Sequence, residues 1–438
     1  MSPSPAPARG ARLAVLVVGL CWLVVLFDGL DMFIYGSVLP HMLETKALGI
    51  TPGKAGDVGS YATFGMLIGA LSSGTVSDWV GRKKTIIVST AVFSLASAVC
   101  ASAASLDVFS LGRFLAGLGL GGLLPSAITL VTEYAPRGRG ALIVGSLMTA
   151  HQAGGIVAGF VALGTGDWRV SFWICVIPLF IGVPLAAKYL PESMAFLQAK
   201  GRTTEARELA GRYGVELADK DGRRPAAADR WSALTALFRG GLWVQTLLFW
   251  LASFGGLLLV YGVSQWLPSL MKANGYNTGS SIGFVIVINL GGIVGMLIGG
   301  RLTDRFGGSR IAAIWFGVTA VGVYALSAHM SLALTYAVVF LTGLFLFSAQ
   351  AMIYATVAAH SDAENRATAV GWTSGMGRFG AVFGPWLGGQ LLATGSTTAG
   401  FTAFAVAGVF SMVMVSLTGL RALAQPQQSS TPQLTTTG

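Results

Sequence analysis

Two carboxylates stand three residues apart inside a long apolar stretch near the start of the chain. Asp28 and Asp31 lie past the middle of the run at 13–39, which is long enough to cross a bilayer as a helix. On such a helix the two side chains share one face, and Met32 and Tyr35 continue the same stripe. An ionisable side chain at that depth is costly and marks a functional site by default.

The chemistry that two such carboxylates support is proton transfer. Because two close carboxylates disfavour double ionisation, one of them can hold a proton near neutral pH. Asp28 and Asp31 are therefore predicted to couple protons to a larger process. The alternative is a buried ion pair that only locks two helices together.

Two arginines lie inside apolar runs, and each needs an anion at that depth. Arg113 is at a depth similar to the two aspartates, so Asp28 or Asp31 is its natural partner. Arg378 lies near the centre of the run at 366–393, which contains no acid. A guanidinium fork binds a carboxylate in bidentate fashion, so an unpaired Arg378 predicts a receptor for a substrate carboxylate. The alternative is that Arg378 also pairs with one of the aspartates.

Other polar and aromatic side chains in the apolar runs are candidates for substrate contact. His151 can relay protons, because its unperturbed pKa is near neutrality, or it can hydrogen-bond a substrate; a lone buried His is also often a structural group. Phe347, Gln350 and Tyr354 share a helical face, although such a stripe is more often packing than pocket. The predicted substrate-binding residues are Arg378, Arg113, Tyr35, His151, Tyr261, Gln265, Phe347, Gln350 and Tyr354, and His151 is also a predicted proton-coupling residue.

The loop from Gly74 to Lys84 has the composition of a gate. Gly81 permits a tight turn, Asp78 at a helix end can pair with a basic group, and the basic run holds the loop on one side of the membrane. An ion pair that forms in one state and breaks in another gates access; the alternative is a static topology anchor. Glu133 is predicted to pair with Arg137 or with this loop. The predicted gating residues are Gly74, Asp78, Gly81, Arg82, Glu133, Arg137 and Asp304.

The composition places these residues in a polytopic membrane protein. Of 438 residues, 53% are hydrophobic and 11% are charged, whereas soluble domains average about 25% charged. The net charge of +10 comes from residues between the apolar runs, so it indicates topology rather than nucleic-acid binding. Three cysteines, all in apolar runs, argue against a disulfide framework or a metal cluster. No GxxxxGK[ST] pattern is present, which argues against transport driven directly by ATP.

Apolar windows predict twelve transmembrane helices. The predicted spans are 13–39, 57–77, 84–104, 108–133, 140–163, 168–190, 241–270, 279–303, 310–329, 331–358, 366–393 and 398–421. They define a six-helix bundle, a connector with short amphipathic helices, a second six-helix bundle, and disordered ends. These five regions are 13–190, 191–240, 241–422, and the termini 1–12 and 423–438.

The basic residues predict the orientation of the chain. Most of the 28 lysines and arginines fall in segments on the side of the two termini, and the few on the other side are Lys46, Lys54, Arg169 and Lys272. By the excess of positive charge on cytoplasmic loops, both termini are expected in the cytoplasm, with the chain in the inner membrane.

The two halves repeat one plan. The spacing of Gly74, Asp78 and Gly81 recurs in the second half at Gly300, Asp304 and Gly307. Related halves around a midplane site are the architecture of many secondary transporters. The halves differ at the positions that carry charge, since the counterpart of Asp28 is Gly255 and that of His151 is Arg378.

The gate loop, with its weaker second copy, resembles the signature of the major facilitator superfamily. Within that superfamily, the stretch Asp28-Gly29-Leu30-Asp31 resembles the DGxD signature of the aromatic acid:proton symporters. The resemblance implies a twelve-helix all-α fold and uptake of benzoate-like carboxylates with protons. It further implies that the aspartates couple and that the intramembrane arginines bind or couple. The second loop copy lacks the Arg-Lys-Lys run, which puts strict gate symmetry in doubt.

The expected function is secondary active import of a small aromatic carboxylate of the benzoate, hydroxybenzoate, protocatechuate or gentisate class. The expected partners are this substrate, protons and the lipid bilayer, with no cofactor other than the coupling proton, no metal and no nucleic acid; a monomer is expected. Rival solutes are a nicotinate-like acid, a sugar or an exported drug. An uncoupled receptor or channel is a rival of another class, whereas no nucleophile–base or metal-ligand grouping supports an enzyme.

Overall fold

The regular elements of the chain are helices throughout the part that the structure describes. The computed structural model describes residues 6–135, 140–215, 217, 235, 237–238, 242–361 and 365–424. The first ten α-helices are α1 (Ala6–Glu44), α2 (Pro52–Val80), α3 (Arg82–Ser102), α4 (Leu106–Glu133), α5 (Gly140–Thr165), α6 (Trp168–Ile174), α7 (Ile177–Phe180), α8 (Gly182–Tyr189), α9 (Met194–Ala199) and α10 (Thr203–Tyr213). The others are α11 (Leu242–Ala273), α12 (Thr278–Phe306), α13 (Gly308–Ala325), α14 (Leu332–His360), α15 (Arg366–Ala393) and α16 (Thr397–Ala424). The predicted all-helical fold class is confirmed.

Ten stretches of the described chain are long and apolar enough to cross a membrane. One of them is the sixth predicted span, which is divided into α6, α7 and α8. The two remaining predicted spans are α2 and α15, with 29 and 28 residues, and their length suffices for a crossing. Both helices are rich in glycine, serine and threonine. Such small residues let membrane helices approach closely.

The first helix is longer than the sequence predicts. It begins at Ala6, inside the stretch 1–12 that was expected to be disordered, and it continues to Glu44 instead of ending near 39. Alanine is the best helix former, and three alanines lie among its first six residues. At the other end, packing against neighbouring helices continues past residue 39, since Met42 is fully buried.

Two short helices occupy the described part of the connector between the halves. They are α9 and α10. Helix α10 buries Ala206, Ala210 and Tyr213 on one side, which is the spacing of an amphipathic helix. Most of 218–241 and the tail after 424 lie outside the described residues.

The long helices alternate in direction, so the bundle has two ends. We call the end that carries Arg82, Glu133 and Arg366 the basic face, and the end that carries Glu44 and Lys272 the opposite face. Near the opposite face, Lys272 of α11 forms an ion pair with Glu44 of α1. This contact joins the two halves of the chain at that face.

Helices α2 and α15 also meet nearer the opposite face. The Ser60 hydroxyl donates a hydrogen bond to the Val382 carbonyl at 2.8 Å, and a Cβ on Gly56 would lie 3.0 Å from the Cα of Gly389. Nearer the basic face, a Cβ on Gly74 of α2 would meet no described atom within 4 Å. The described contacts of this pair therefore place the junction of the halves toward the opposite face.

The aspartate-bearing helix is held against α5 by a close crossing of backbones. A Cβ on Gly29 would lie 2.1 Å from the carbonyl oxygen of His151, and a Cβ on Gly154 would lie 2.2 Å from that of Leu26. A side chain at either glycine would force the helices apart. This crossing brings the turn that contains Asp28 next to the side chain of His151.

We expect Gly29→Ala to destabilise the protein, because overpacking of a tight contact costs about 1–3 kcal/mol, more than the gain in helix propensity of about 1 kcal/mol. Thermal unfolding of the purified protein in detergent measures the effect. Gly19→Ala on the same helix is the matched control, since nothing lies within 4 Å of its Cβ position, and it should not lower the midpoint. Equal midpoints for the two variants would show that the crossing can open without cost.

Candidate functional site

A buried cluster of charges ties α1 to α3 and α4. Arg113 of α4 forms an ion pair with Asp31, with 3.1 Å between Nη1 and Oδ2. The hydroxyl of Ser97 on α3 donates to the other carboxylate oxygen at 2.5 Å. The side chains of Asp31 and Arg113 are 0% and 3% exposed. Both oxygens of this carboxylate therefore have a donor, one of them charged.

Aromatic rings enclose the guanidinium of Arg113. Its carbon lies 5.5 Å from the ring centroid of Tyr35 and 5.6 Å from that of Phe172, within the range of a cation–π contact. The Tyr35 hydroxyl donates to the carbonyl of Ala55 at 3.0 Å. Arg113 and Tyr35, both predicted to bind substrate, are thus enclosed within the first half of the chain and already have partners.

The second aspartate has a different environment. Asp28 is also buried, but its Oδ1 has no hydrogen-bond partner among the described residues. Its Oδ2 lies 3.8 Å from Nε2 of His151, which is too long for a hydrogen bond. Nε2 of His151 is instead 3.1 Å from the Met32 sulfur. Asp28 therefore lies buried with one oxygen unpaired.

Three side chains from the second half of the chain interact electrostatically in the region of Asp28. Arg378 of α15 interacts with Asp28 and with Tyr261 of α11, and Tyr354 of α14 interacts with Tyr261. Arg378 is half-buried, and it makes no hydrogen bond or ion pair with any residue of the described chain. The structure thus brings Asp28, His151, Tyr261, Tyr354 and Arg378 into one region between the halves.

The remaining predicted substrate residues lie at different distances from this region. Phe347 is 6.3 Å from the ring of Phe33, which in turn is 5.5 Å from the ring of His151. Gln350 donates to the hydroxyl of Ser253 at 3.0 Å within the second half. Gln265 lies toward the opposite face, where a Cβ on Gly59 would overlap its amide. Phe347 thus meets α1 at Phe33, whereas Gln265 meets the same helix at Gly36, where a Cβ would lie 2.8 Å from the Gln265 carbonyl oxygen.

A second polar cluster lies at the basic face and contains the predicted gate. Asp78 pairs with Arg82 at 3.1 Å. Gly81 directly precedes α3 with φ +98°, a conformation that favours glycine, and it has no side chain to cap the helix. Glu192 fulfils that role, since its carboxylate accepts a hydrogen bond from the backbone N–H of Lys83 at 3.0 Å.

The end of α4 is hydrogen-bonded to the connector segment that contains Glu192. Glu133 accepts hydrogen bonds from the hydroxyl of Ser193 at 2.7 and 2.8 Å, and the Tyr134 hydroxyl donates to the carbonyl of Glu192 at 2.7 Å. Burial, together with the nearby ionisable phenol of Tyr213, raises the pKa of Tyr134, so the Tyr134 hydroxyl remains a donor. The described contacts of Glu133 are therefore with the connector, whereas its predicted partner Arg137 lies outside the described residues.

The other predicted gate residues are Asp304 and Gly74. The backbone of Asp304 belongs to α12, but its side chain lies outside the described residues, and Gly74 contributes an open helix surface. Sequence reasoning missed Ser97, Glu192 and Ser193 as parts of these clusters. The Pro-Glu-Ser opening of the connector was a usable signal for the latter two, whereas nothing distinguishes Ser97 from the other serines of α3.

We expect Glu192→Ala to lower the free energy of unfolding by about 0.5–2 kcal/mol, the usual cost of a lost helix cap. Thermal unfolding in detergent measures the change. Glu205→Ala is the matched control at the same face, because its pair with Arg202 is exposed and such pairs contribute little. A control variant that is as unstable as Glu192→Ala would contradict the capping role.

Comparisons with known proteins agree with this architecture. The family model of the Major Facilitator Superfamily matches residues 21–292 and 273–435. The benzoate transport protein of Acinetobacter baylyi is 34% identical, over 94% of this chain and 91% of the relative. The gentisate transporter of Corynebacterium glutamicum is also 34% identical, over 93% of this chain and 88% of the relative.

Solved structures show the same fold at lower identity. The D-xylose–proton symporter superposes with a TM-score of 0.71 at 16% identity, and the match covers 92% of this chain and 97% of that one. The family match confirms that the chain is a multi-pass membrane protein and not an enzyme. The chain belongs to the Major Facilitator Superfamily, in the family of aromatic acid transporters.

Proposed function

We propose that this protein imports a small aromatic carboxylate together with protons by alternating access. The observation that carries the proposal is the contrast between the two intramembrane arginines. Arg113 is paired with Asp31, whereas Arg378 is half-buried and unpaired within the described chain. Because a cation at membrane depth needs an anion and a guanidinium fork fits a carboxylate, Arg378 is the proposed receptor of the substrate carboxylate.

The substrate class rests on two further supports. Relatives at about a third identity are named as transporters of benzoate and of gentisate. The rings of Phe33, Phe347, Tyr261 and Tyr354 lie around the same region, and aromatic pairs prefer such offset and edge contacts. We therefore favour benzoate, hydroxybenzoate, protocatechuate or gentisate as the cargo, carried by a monomer.

The proposed cycle couples substrate to protons through charge. A proton enters the Asp28/Asp31 pair from the outward-open cavity and weakens the attraction of the carboxylates for the arginines. The substrate carboxylate then binds a free guanidinium, and its ring packs on apolar walls. With the charges neutralised, the halves rock about the midplane site, and substrate and proton leave on the other side.

The orientation of the cycle follows from the basic residues. Cytoplasmic loops carry an excess of Lys and Arg, so we assign the basic face to the cytoplasm and the chain to the inner membrane. The described junction of the halves at the opposite face, through Glu44 and Lys272, then corresponds to a state closed to the outside. The gate cluster of Asp78, Arg82 and Glu192 would re-form contacts between the halves when the basic face closes.

Labelled uptake into proteoliposomes with an imposed pH gradient tests the proposal. Benzoate, hydroxybenzoates, dihydroxybenzoates, nicotinate and a sugar are compared, each with and without a protonophore. We expect uphill accumulation of an aromatic carboxylate that collapses with the protonophore. Accumulation of a sugar alone, export of the tested solute, or uptake that ignores the protonophore would each refute the proposal.

We expect Arg378→Gln to raise the KM for the carboxylate roughly ten- to a hundredfold, since a hydrogen bond to a charged group is worth about 1.5–3 kcal/mol. Arg378→Lys should recover only part of the loss, because an ammonium cannot present the bidentate fork. Arg212→Gln is the matched control, an exposed arginine of α10, and should leave KM unchanged. An unchanged KM in Arg378→Gln would exclude it as the carboxylate receptor.

A further inference from the structure

We propose that the two aspartates play separate parts in coupling, in which Asp28 binds and releases the transported proton, Asp31 remains ionised throughout the cycle, and Ser97 is the positioning residue that keeps Asp31 ionised. The inference rests on the proposed function, which requires a proton site but leaves open which carboxylate provides it. The two environments in the structure differ enough to assign the roles.

The donors on the helices packed against Asp31 favour its charged form, whereas Asp28 on its own helix opposes it as a like charge. Arg113 from α4 and Ser97 from α3 each donate to one carboxylate oxygen, and hydrogen bonds to the charged form favour that form. Cys100 from α3 and Cys175, directly after α6, also face it, and the Cys100 thiol donates to the carbonyl of Phe109. Protonation of Asp31 would leave a buried guanidinium without its counterion, which is costly.

Asp28 is placed to gain from a proton. Its Oδ1 is buried without a partner in the described chain, and the nearest basic atom, Nε2 of His151 on α5, is 3.8 Å away. Arg378 from α15 and Tyr261 from α11 face it at longer range, and Asp31 adds a like charge from its own helix. Burial without a donor disfavours the ionised form, so a proton relieves the cost of burial.

Arg378 couples proton binding to substrate binding, because it neighbours both Asp28 and the proposed substrate carboxylate. Arg378 is the cation that favours ionised Asp28, and it is also the proposed receptor of the substrate carboxylate. A bound substrate anion neutralises Arg378, so Asp28 loses its counterion and takes up a proton. Departure of the substrate restores the cation and expels the proton. By linkage, a proton on Asp28 raises substrate affinity by the same factor.

Asp28→Asn and Asp31→Asn separate the two roles. An amide at position 28 mimics the protonated acid, so Asp28→Asn should exchange labelled for unlabelled substrate while losing proton-driven accumulation. Asp31→Asn should lose both activities and thermal stability, because it leaves Arg113 buried without an anion. Difference infrared spectra of the wild type on substrate binding should show one new carboxylic-acid C=O band, and Asp28→Asn should abolish it.

Ser97→Ala keeps the assignment testable even if Asp31→Asn does not fold. Ser97→Ala removes one of the two donors to the Asp31 carboxylate, so the maximal rate of proton-driven uptake should fall several-fold. The alkaline-side midpoint, which reports loading of Asp28, should stay in place. Ser97→Thr should restore the wild-type profile. Ser94→Ala removes a buried hydroxyl one turn away that has no partner in the described chain, and it should leave both the rate and the alkaline-side midpoint unchanged.

Three outcomes would overturn the assignment: a carboxylic-acid band that persists in Asp28→Asn, exchange that survives in Asp31→Asn but not in Asp28→Asn, or an alkaline midpoint that moves in Ser97→Ala. These are distinct from failure of the proposed function. If the wild type accumulates no aromatic carboxylate under a pH gradient, the proposed function fails. If it does accumulate one but any of the three outcomes is found, only the division of roles fails.

Discussion

The cost of placing charge inside a membrane governs this structure. A lone carboxylate or guanidinium at membrane depth is expensive, and the chain contains both. The pair of Asp31 and Arg113, closed by the hydroxyl of Ser97, removes that cost for two charges at once. Because the three groups come from α1, α4 and α3, the pair also fixes the positions of these helices, and the geometry around Asp28 depends on it.

The charges that remain are distributed unequally between two similar halves. The first half supplies Asp28 and His151, whereas the second half supplies Arg378 at the position equivalent to His151. The counterpart of Asp28 is Gly255, where a Cβ would lie 2.4 Å from the Ser411 hydroxyl, so no carboxylate fits there. A duplicated fold thus presents an acid on one side and a cation on the other, at the place where the halves can move apart.

Glycine lets these groups meet. The crossing of Gly29 with α5 and of Gly154 with α1 brings backbones into contact, and no bulkier residue could occupy either position. At the basic face, Gly81 makes a turn that leaves α3 without a capping side chain, and Glu192 replaces it from more than a hundred residues away. Close approach at these points makes each cluster depend on residues from several helices.

The sequence alone determined the helical class, the approximate spans and the candidate charged residues, because apolar length and buried charge are local properties of the chain. It also contained the repeat that relates the halves. Only the tertiary structure decided which aspartate pairs with Arg113, that Ser97 completes the pair, that Glu192 caps α3, and that Glu133 binds the connector beside the gate. Those choices depend on which helix faces meet and on distances of a few ångströms, and neither hydrophobic periodicity nor residue spacing encodes them.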